Sequence, residues 1–405
     1  MLVLHAKVAL RGVPRVLQVM KASLGLRLEV PSWTTSRSWL LRLGYFKLTR
    51  PKEQAADWVW LLDHSCQMGS QKCLLVLGLR LRDLPPPGEC LCLEHLEPLE
   101  VLPVCGSTQQ DVATQLESLV AKTGVPRAIL RDDGGDLRGG VQLFRARHSE
   151  TADLYDIKHK TACALKRLLE GDDRWSVFSR LVGQTKCQVQ QTEVAFLAPP
   201  YQRPKARYMN VAELVRWGVA TLRLVQAKPA AVLGRVSDER LEVKLGWLRD
   251  YQEALAEWSE WVCVASLAEE FVRRDGLYVG CREDLRACFP VKLKHATTQR
   301  LRNELLEHVA GQEAQLRAGE RLPGSTEVLE SCFGQLKHLE KDQSRSGFTS
   351  LLLAAGALVS TTSLAEVGEA MDHCPGKNIV DWCKSKLGDT VQAQRRAAYA
   401  FRIAQ

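Results

Sequence analysis

The pattern of apolar and polar residues changes near Pro51. Residues 1–50 carry apolar positions at mixed helical spacing and predict a helical N-terminal region. Beyond Pro51, residues 58–62 and 73–81 are short, continuously apolar runs, which is typical of strands buried on both faces. Residues 96–104 predict a third strand. A sheet therefore begins in this part of the chain.

Helices and strands alternate in the next segment. Residues 108–122 place apolar side chains on one helical face, and Gly124 ends that helix. Residues 127–130 and 152–155 predict a fourth and a fifth strand, with a helix between them. Three antiparallel strands followed by strands joined through helical crossovers are the element order of a ribonuclease H-like sheet. We therefore expect an α/β fold with a ribonuclease H-like mixed sheet core.

The second half of the chain is predicted to be helical. Residues 160–320 lack strand patterning and contain long helical segments rich in tryptophan. A helix is predicted from 327 to about 341, and a second helix over 348–359 is expected to pack beside it. Four regions follow from this pattern: a helical N-terminal region (1–50), the first part of the core (51–160), a large all-helical insertion (161–320) and the C-terminal helices of the core (321–405).

Composition indicates a soluble globular protein with a polyanionic partner. The 405 residues are 45% hydrophobic and 25% charged, with a net charge of +8 and a pI near 8.8. Residues 1–28 contain five lysines and arginines and no acidic residue, which suggests a basic helical arm or part of a DNA-binding region. The longest apolar stretch is much shorter than the roughly 20 residues that span a bilayer.

The thirteen cysteines do not suggest a zinc site or a disulfide framework. No C-x-x-C pair occurs, and the closest pair, Cys90 and Cys92, has the wrong spacing for a zinc knuckle. Most are expected to be buried thiols in a reducing compartment. We therefore expect a cytoplasmic protein, associated with the nucleoid if its polyanionic partner is DNA.

Three carboxylates are the candidate catalytic residues. Asp63 ends the first predicted strand, Asp132 ends the fourth, and Glu330 lies on the late helix. Cleavage and transfer of a phosphodiester require an activated water or 3′ hydroxyl and neutralisation of charge on two oxygens. Two Mg²⁺ or Mn²⁺ ions about 4 Å apart supply both, and a few converging carboxylates hold them.

Several alternatives remain open for these acids. An aspartate at a strand end is often an ordinary turn or helix-cap residue. Asp133 and Asp136 are local rivals of Asp132, in a stretch whose Gly-Gly pair is also a good turn. Asp156 and His159 are either an N-cap with an exposed histidine or additional groups beside the metal ions.

Four segments resemble bacterial insertion-sequence transposases of the DDE class. Residues 58–64 (WVWLLDH) resemble the strand of the first aspartate, and residues 129–132 (ILRD) resemble the strand of the second. Residues 154–160 (LYDIKHK) resemble the segment that follows, and residues 330–337 (ESCFGQLK) resemble the E-x6-K half of a signature in one large transposase group. The resemblance covers about residues 33–390.

The resemblance implies roles for individual residues. Glu330 would be the third metal ligand and Lys337 a contact to the phosphates of the transposon end. The tyrosine and the arginine expected before the glutamate are absent, because Pro323 and Thr326 occupy their places. Glu327 is therefore a competitor of Glu330. The resemblance also implies a fuller helix-turn-helix region upstream, so residues 1–50 are expected to be a truncated DNA-binding part.

A basic loop is the second candidate DNA contact. Residues 202–208 follow two prolines and contain Arg203, Lys205 and Arg207 beside a tyrosine, which suits phosphate contacts or base stacking. The function predicted for the chain is DNA strand cleavage and strand transfer at transposon ends, as a homodimer on DNA. Two alternatives are a ribonuclease H-like nuclease that only hydrolyses and a decayed protein that binds DNA without cutting it.

Overall fold

A computed structural model describes residues 1–68, 71–202, 211–341, 349–388 and 391–403. The chain divides into two compact units. Unit 1 contains residues 1–156, 274–276 and 321–405, and unit 2 contains residues 157–273 and 277–320. These limits lie close to the expected boundaries at 160 and 320. Whether each region is a domain that folds alone stays a prediction.

The first part of unit 1 contains two helices, five strands and two further helices between the strands. Two short 3-10 helices, Leu81–Asp83 and Leu93–His95, also occur. The elements in chain order are α1 (Gly12–Leu24), α2 (Trp33–Thr49), β1 (Trp58–Met68), β2 (Gln71–Arg80), β3 (Glu97–Cys105), α3 (Gln109–Thr123), β4 (Ala128–Arg131), α4 (Gly135–Arg145) and β5 (Ala152–Tyr155).

Unit 2 is helical apart from one two-residue strand within its described residues, so the expectation of an all-helical insertion is wrong at that one place. Its tryptophans Trp175, Trp258 and Trp261 are buried. The elements are α5 (Ile157–Glu170), α6 (Asp173–Val189), α7 (Val211–Ala227), α8 (Ala230–Leu233), α9 (Asp238–Leu245), α10 (Gln252–Asp275), β6 (Leu277–Tyr278), α11 (Cys281–Cys288) and α12 (Ala296–Glu313), with 3-10 helices at Ala195–Leu197 and Gly246–Tyr251. The end of α10 belongs to unit 1.

The C-terminal part of unit 1 is helical after a two-residue strand. The helix expected over 348–359 is wrong in its extent: a 3-10 turn, Ser350–Leu353, leads into a helix of five residues, α14. The elements are β7 (Arg321–Leu322), α13 (Glu327–Lys341), α14 (Ala354–Leu358), α15 (Leu364–His373), α16 (Gly376–Lys386) and α17 (Val391–Ile403). None of the helices in the described segments is both long and apolar enough to cross a membrane.

The five long strands form one mixed sheet in the order β3-β2-β1-β4-β5. β1 pairs antiparallel with β2, and β2 pairs antiparallel with β3. β1 and β4, and then β4 and β5, are parallel. The expected arrangement of three antiparallel strands followed by parallel ones is therefore present. Residues 69 and 70, between β1 and β2, lie outside the described residues.

The first strand is longer than its apolar run predicts. β1 continues past Asp63 because Asp63, His64 and Ser65 pair with Leu75, Leu74 and Cys73 of β2. Asp63 therefore lies inside the strand and does not end it. The apolar run ends at Leu62 because burial on both faces ends there, while the ladder of hydrogen bonds continues.

One face of the sheet packs on α3 and α4. Trp60, Leu62 and Ile129 belong to a buried cluster with side chains from both helices, including Leu116 and Phe144. Because side chains alternate along a strand, Leu61 and Leu130 point to the other face, where they are fully buried. Within unit 1, α13 contacts β1, and α14 contacts β3.

α2 and α14 approach each other closely at two glycines. A Cβ atom added to Gly44 would overlap the carbonyl oxygen of Leu353, and one added to Gly356 would lie 2.5 Å from the carbonyl oxygen of Gly44. Backbone carbonyls cannot turn away as a flexible side chain can. The two helices therefore require glycine at both positions.

Gly44→Ala is expected to destabilise unit 1 strongly. The new methyl group would push α2 away from α14, which costs about 3 kcal/mol or more. Urea denaturation measures this loss, and Gly368→Ala is the matched control. Gly368 lies in α15, where an added Cβ would have open space around it, so alanine there should stabilise by about 0.5–1 kcal/mol. Equal behaviour of the two variants would contradict the close approach.

Candidate functional site

Three aspartates form a row across the parallel strands, at the level where β4 and β5 end and β1 continues. Leu62 of β1 lies opposite Arg131 of β4, and Arg131 lies opposite Tyr155 of β5. The next residue after each of these three is Asp63, Asp132 and Asp156. The register of the strands therefore brings the first two predicted carboxylates next to each other, with Asp156 beside them.

The alternation of side chains places the three aspartates on one face of the sheet. Leu62 and Ile129 face α3 and α4, so Asp63 and Asp132 point to the opposite face if the alternation continues. Arg131 points the other way and forms a two-pronged ion pair with Asp153, at 2.7 and 2.8 Å. This ion pair balances the charge of buried Arg131 on the face of the sheet opposite to Asp63 and Asp132.

Glu330 joins this group from the side. It lies in the first turn of α13, whose apolar side chains are buried, and Glu330 itself is partly buried. The sequence pattern leaves Glu330 nearly opposite the stripe, yet the glutamate interacts electrostatically with Asp63. Contact of α13 with β1 on one flank and α14 on another accounts for this, because the helix is covered on two sides.

Asp63 is strongly affected by its surroundings. Burial of the carboxyl and the charges of Asp132, Glu330 and Asp156 together raise its pKa to about 8. A hydrogen bond from the backbone N–H of His64 opposes this increase. At neutral pH the metal-free protein therefore keeps a proton on Asp63, because burial and the neighbouring negative charges both disfavour its ionised form.

Asp132 is held in a defined orientation. Its Oδ1 accepts a hydrogen bond of 2.9 Å from the backbone N–H of Gly134, which forms an Asx turn after β4. Its rival Asp133 is exposed and pairs with Arg138 at 3.2 Å. Of these two neighbours, only Asp132 lies in the row of strand-end acids.

Asp136, the other rival, is engaged by a different set of groups. Its Oδ2 lies 3.1 Å from Nζ of Lys72 and 3.7 Å from Nδ1 of His64. Burial acts to raise the pKa of Asp136, but hydrogen bonds from Ser107 and Lys72 and the charges of Lys72 and His64 lower it below its usual value. Sequence reasoning missed Lys72, whose only signal was that β2 lies beside β1.

Asp156 anchors the helix that carries Glu330. Its side chain is fully buried, and Oδ1 accepts a hydrogen bond of 3.0 Å from the backbone N–H of Thr326, the residue before α13. Thr326 in turn accepts the N–H of Leu329 through its carbonyl. Asp156 thus fixes the start of α13 relative to the end of β5. Sequence reasoning did not predict this anchoring role.

Asp156→Ala and Asp156→Asn are expected to differ. Alanine leaves the buried N–H of Thr326 unpaired, which costs about 1–3 kcal/mol of unfolding free energy. Asparagine keeps an acceptor oxygen and removes one charge from the group of acids, so it should be nearly neutral or stabilising without metal. Urea denaturation in EDTA compares them, and equal stability of the two variants would contradict the anchoring role.

The remaining candidates are less closely tied to the row of acids. Glu327 lies one turn before Glu330 at the first position of α13, and Lys337 is exposed two turns beyond Glu330 on the same helix. His159 lies in the first turn of α5 and belongs to unit 2. Arg203, Lys205 and Arg207 lie outside the described residues.

The donor set suits a hard divalent cation, but the side chains are not in a ligating arrangement. Across the described segments, no group of three or more His, Cys, Asp and Glu side chains is placed so that it could hold a metal ion. The charges of Asp132, Glu330 and Asp156 nevertheless act on Asp63, which is consistent with four carboxylates in one region. Binding of a cation there therefore requires side-chain rotation.

Comparison with known proteins gives little more. No protein-family model matches the chain, and no curated protein matches it. Among solved structures, the Drosophila P element transposase strand transfer complex is similar at 13% sequence identity, with a TM-score of 0.31, covering 90% of this chain and 89% of that chain. A likeness this slight does not place the chain in a family.

Proposed function

We propose that this protein cuts and joins DNA strands in a metal-dependent reaction, as a transposase of the DDE class on a ribonuclease H-like core. The observation that carries this proposal is that Asp63 and Asp132 are neighbours on the adjacent parallel strands β1 and β4, with Glu330 from a distant helix acting on Asp63. Three partly buried acids far apart in sequence have no structural reason to share one region, because their mutual repulsion costs stability.

The sheet supports the ribonuclease H-like assignment. Its order β3-β2-β1-β4-β5 places the long antiparallel hairpin beside two parallel strands joined by helical crossovers. The first two acids then occupy the two central neighbours, β1 and β4. Ligands of open α/β sheets bind beyond the carboxyl ends of the strands, and Asp132 directly follows the end of β4 with Asp63 beside it on β1.

Magnesium or manganese is the proposed cofactor, as two ions held by Asp63, Asp132 and Glu330. The ions would neutralise the charge that develops on the attacking and leaving oxygens of the phosphodiester. The same cations would offset the burial and the neighbouring negative charges that keep Asp63 protonated. Asp63 would therefore release its proton on metal binding, which would couple metal binding to pH.

The protein's own groups position these ligands. The N–H of Gly134 orients Asp132, and Asp156 holds the start of α13 and thereby the position of Glu330. Lys337, exposed two turns from Glu330, is proposed to contact a DNA phosphate. The DNA partner is the transposon end and its target, and a homodimer is proposed because two ends must be joined.

A cleavage and joining assay tests this function. Purified protein is incubated with DNA that carries the inverted repeats flanking the gene, with Mg²⁺, Mn²⁺ or EDTA. We expect nicks and joined products that require metal, and loss of both in Asp132→Asn while DNA binding remains. Cutting without joining would favour the nuclease. Binding without any cutting in either metal would contradict catalysis and favour the decayed DNA-binding protein.

A further inference from the structure

The N-terminal segment of the chain lies against α13, the helix that carries Glu330. Nζ of Lys7 donates a hydrogen bond of 2.7 Å to Oε1 of Gln335. Val3, Lys7 and Val8 also line one groove together with residues of α13, among them His338. The arm (residues 1–28) therefore contacts α13 one to two turns beyond Glu330.

The arm carries positive charge that nothing in its own sequence offsets. Lys7, Arg11 and Arg15 are exposed, and no acidic residue precedes Glu29. Arg11 and Arg15 are four residues apart, across the start of α1, and so lie on one face of it. The guanidinium of Arg11 stacks over Trp33 at 5.2 Å from the ring centroid, which holds this face in place on α2.

α13 continues the positive surface on its exposed side. Lys337, His338 and Lys341 are all exposed, and they follow Glu330 towards the end of the helix. Glu340 offsets part of this charge: burial raises the pKa of its carboxyl, and Lys337 acts in the opposite direction. Within the described part of unit 1, Lys7, Arg11 and Arg15 form no ion pair with a carboxylate, whereas many other surface cations there are paired, such as Arg82 and Arg147.

We propose that the arm and the exposed side of α13 form a surface that binds the phosphate backbone of duplex DNA as it leaves the carboxylates. This inference rests on the proposed function for the identity of the polyanion. The three arm cations have no carboxylate partner among the described residues of unit 1, and Lys337 and Lys341 add positive charge on the helix that carries Glu330. Such a row of positive charges next to the proposed cleavage site matches a chain of evenly spaced phosphates. Contacts to phosphates position the duplex and carry no sequence preference.

The test compares two triple variants of the full chain with the same change in net charge. The arm variant is Lys7→Gln, Arg11→Gln and Arg15→Gln. The control variant is Lys228→Gln, Arg240→Gln and Arg286→Gln. Arg240 and Arg286 are exposed and Lys228 is half-buried, and the three cations pair with Glu193, Glu283 and Asp238 respectively. Loss of such surface pairs costs little stability, and thermal melts verify that both variants fold.

Binding is measured by fluorescence anisotropy on a 30-base-pair duplex of mixed sequence, in EDTA and over a series of salt concentrations. We expect the arm variant to bind roughly tenfold or more weakly at 0.1 M salt, and its salt slope to fall by about 2–3. The control variant should match the wild type. Equal DNA affinity and equal salt slope in the arm variant and the control variant would overturn the proposal. An arm variant that binds DNA like the wild type and loses only its binding to anionic lipid vesicles would also overturn it.

Failure here is distinct from failure of the proposed function. EDTA removes catalysis from the assay, so the arm can bind DNA in a protein that never cuts it. Conversely, the arm variant could keep both metal-dependent cutting and the DNA affinity of the wild type. That result would leave the catalytic proposal intact and would show that the arm does not bind the DNA. Arg15→Gln alone, a change of one exposed side chain, should give about one third of the change in salt slope.

Discussion

Asp63→Asn is expected to make the metal-free protein more stable than the wild type at pH 9, and to change its stability little at pH 4. The folded protein raises the pKa of Asp63 to about 8 from an ordinary value of 3.8. Between these values the folded state holds more protons than the unfolded state, so unfolding free energy falls as pH rises from about 4 to about 8. Asparagine has no proton to lose, so the variant lacks this fall of unfolding free energy with rising pH.

Urea denaturation in EDTA at pH 4 and pH 9 measures the effect. Because other groups also titrate, the informative quantity is the difference between wild type and variant at each pH. We expect the difference in unfolding free energy between variant and wild type to grow by an amount on the order of a few kcal/mol from pH 4 to pH 9. Asp133→Asn is the control, since Asp133 is exposed and paired with Arg138. A pH dependence that is the same in wild type and Asp63→Asn would contradict the sharing of one region by the acids.

Glu330→Gln is expected to abolish metal-dependent cleavage while Glu327→Gln retains it. Both acids lie in the first turn of α13, and the amide is nearly isosteric with the carboxylate, so neither change disturbs packing. The charge of Glu330 is one of the causes that raise the pKa of Asp63, after burial and the charge of Asp132. Loss of a metal ligand should reduce the rate roughly a thousandfold or more, equivalent to about 4 kcal/mol of transition-state stabilisation.

Single-turnover cleavage with Mn²⁺ checks this pair, with DNA binding measured in parallel. Glu327→Gln is a matched control because it removes the same charge from the same turn of the same helix. Binding should be intact in both variants, which separates a loss of chemistry from a loss of affinity. If Glu327→Gln were inactive and Glu330→Gln active, the third carboxylate would have to be reassigned.

Apolar patterning predicted the sheet well. The runs around Trp60, Leu75 and Ile129 contain side chains that are fully buried, and burial on both faces leaves an unmistakable pattern. The positions of Asp63 and Asp132 followed from the same runs, since an acid after a buried strand stands out.

Features that depend on contacts distant in sequence were not predictable. The apolar run stops at Leu62, yet pairing with β2 carries β1 past Asp63. The apolar residues after Thr349 suggested one continuous helix, but the close approach of Gly356 to Gly44 accompanies a short helix after a 3-10 turn. The hydrogen bond between Asp156 and Thr326 joins residues 170 positions apart, which no local pattern can reveal.

The most direct test of metal binding by the carboxylates is a titration of the protein with Mn²⁺, followed by calorimetry and by the electron paramagnetic resonance of free Mn²⁺. We expect the wild type to bind Mn²⁺ and to release protons below pH 8 as it does so. Binding should be at least tenfold weaker in Asp132→Asn and Glu330→Gln, and unchanged in Asp133→Asn. Equal Mn²⁺ affinity in the wild type and all three variants would show that these carboxylates do not hold the metal.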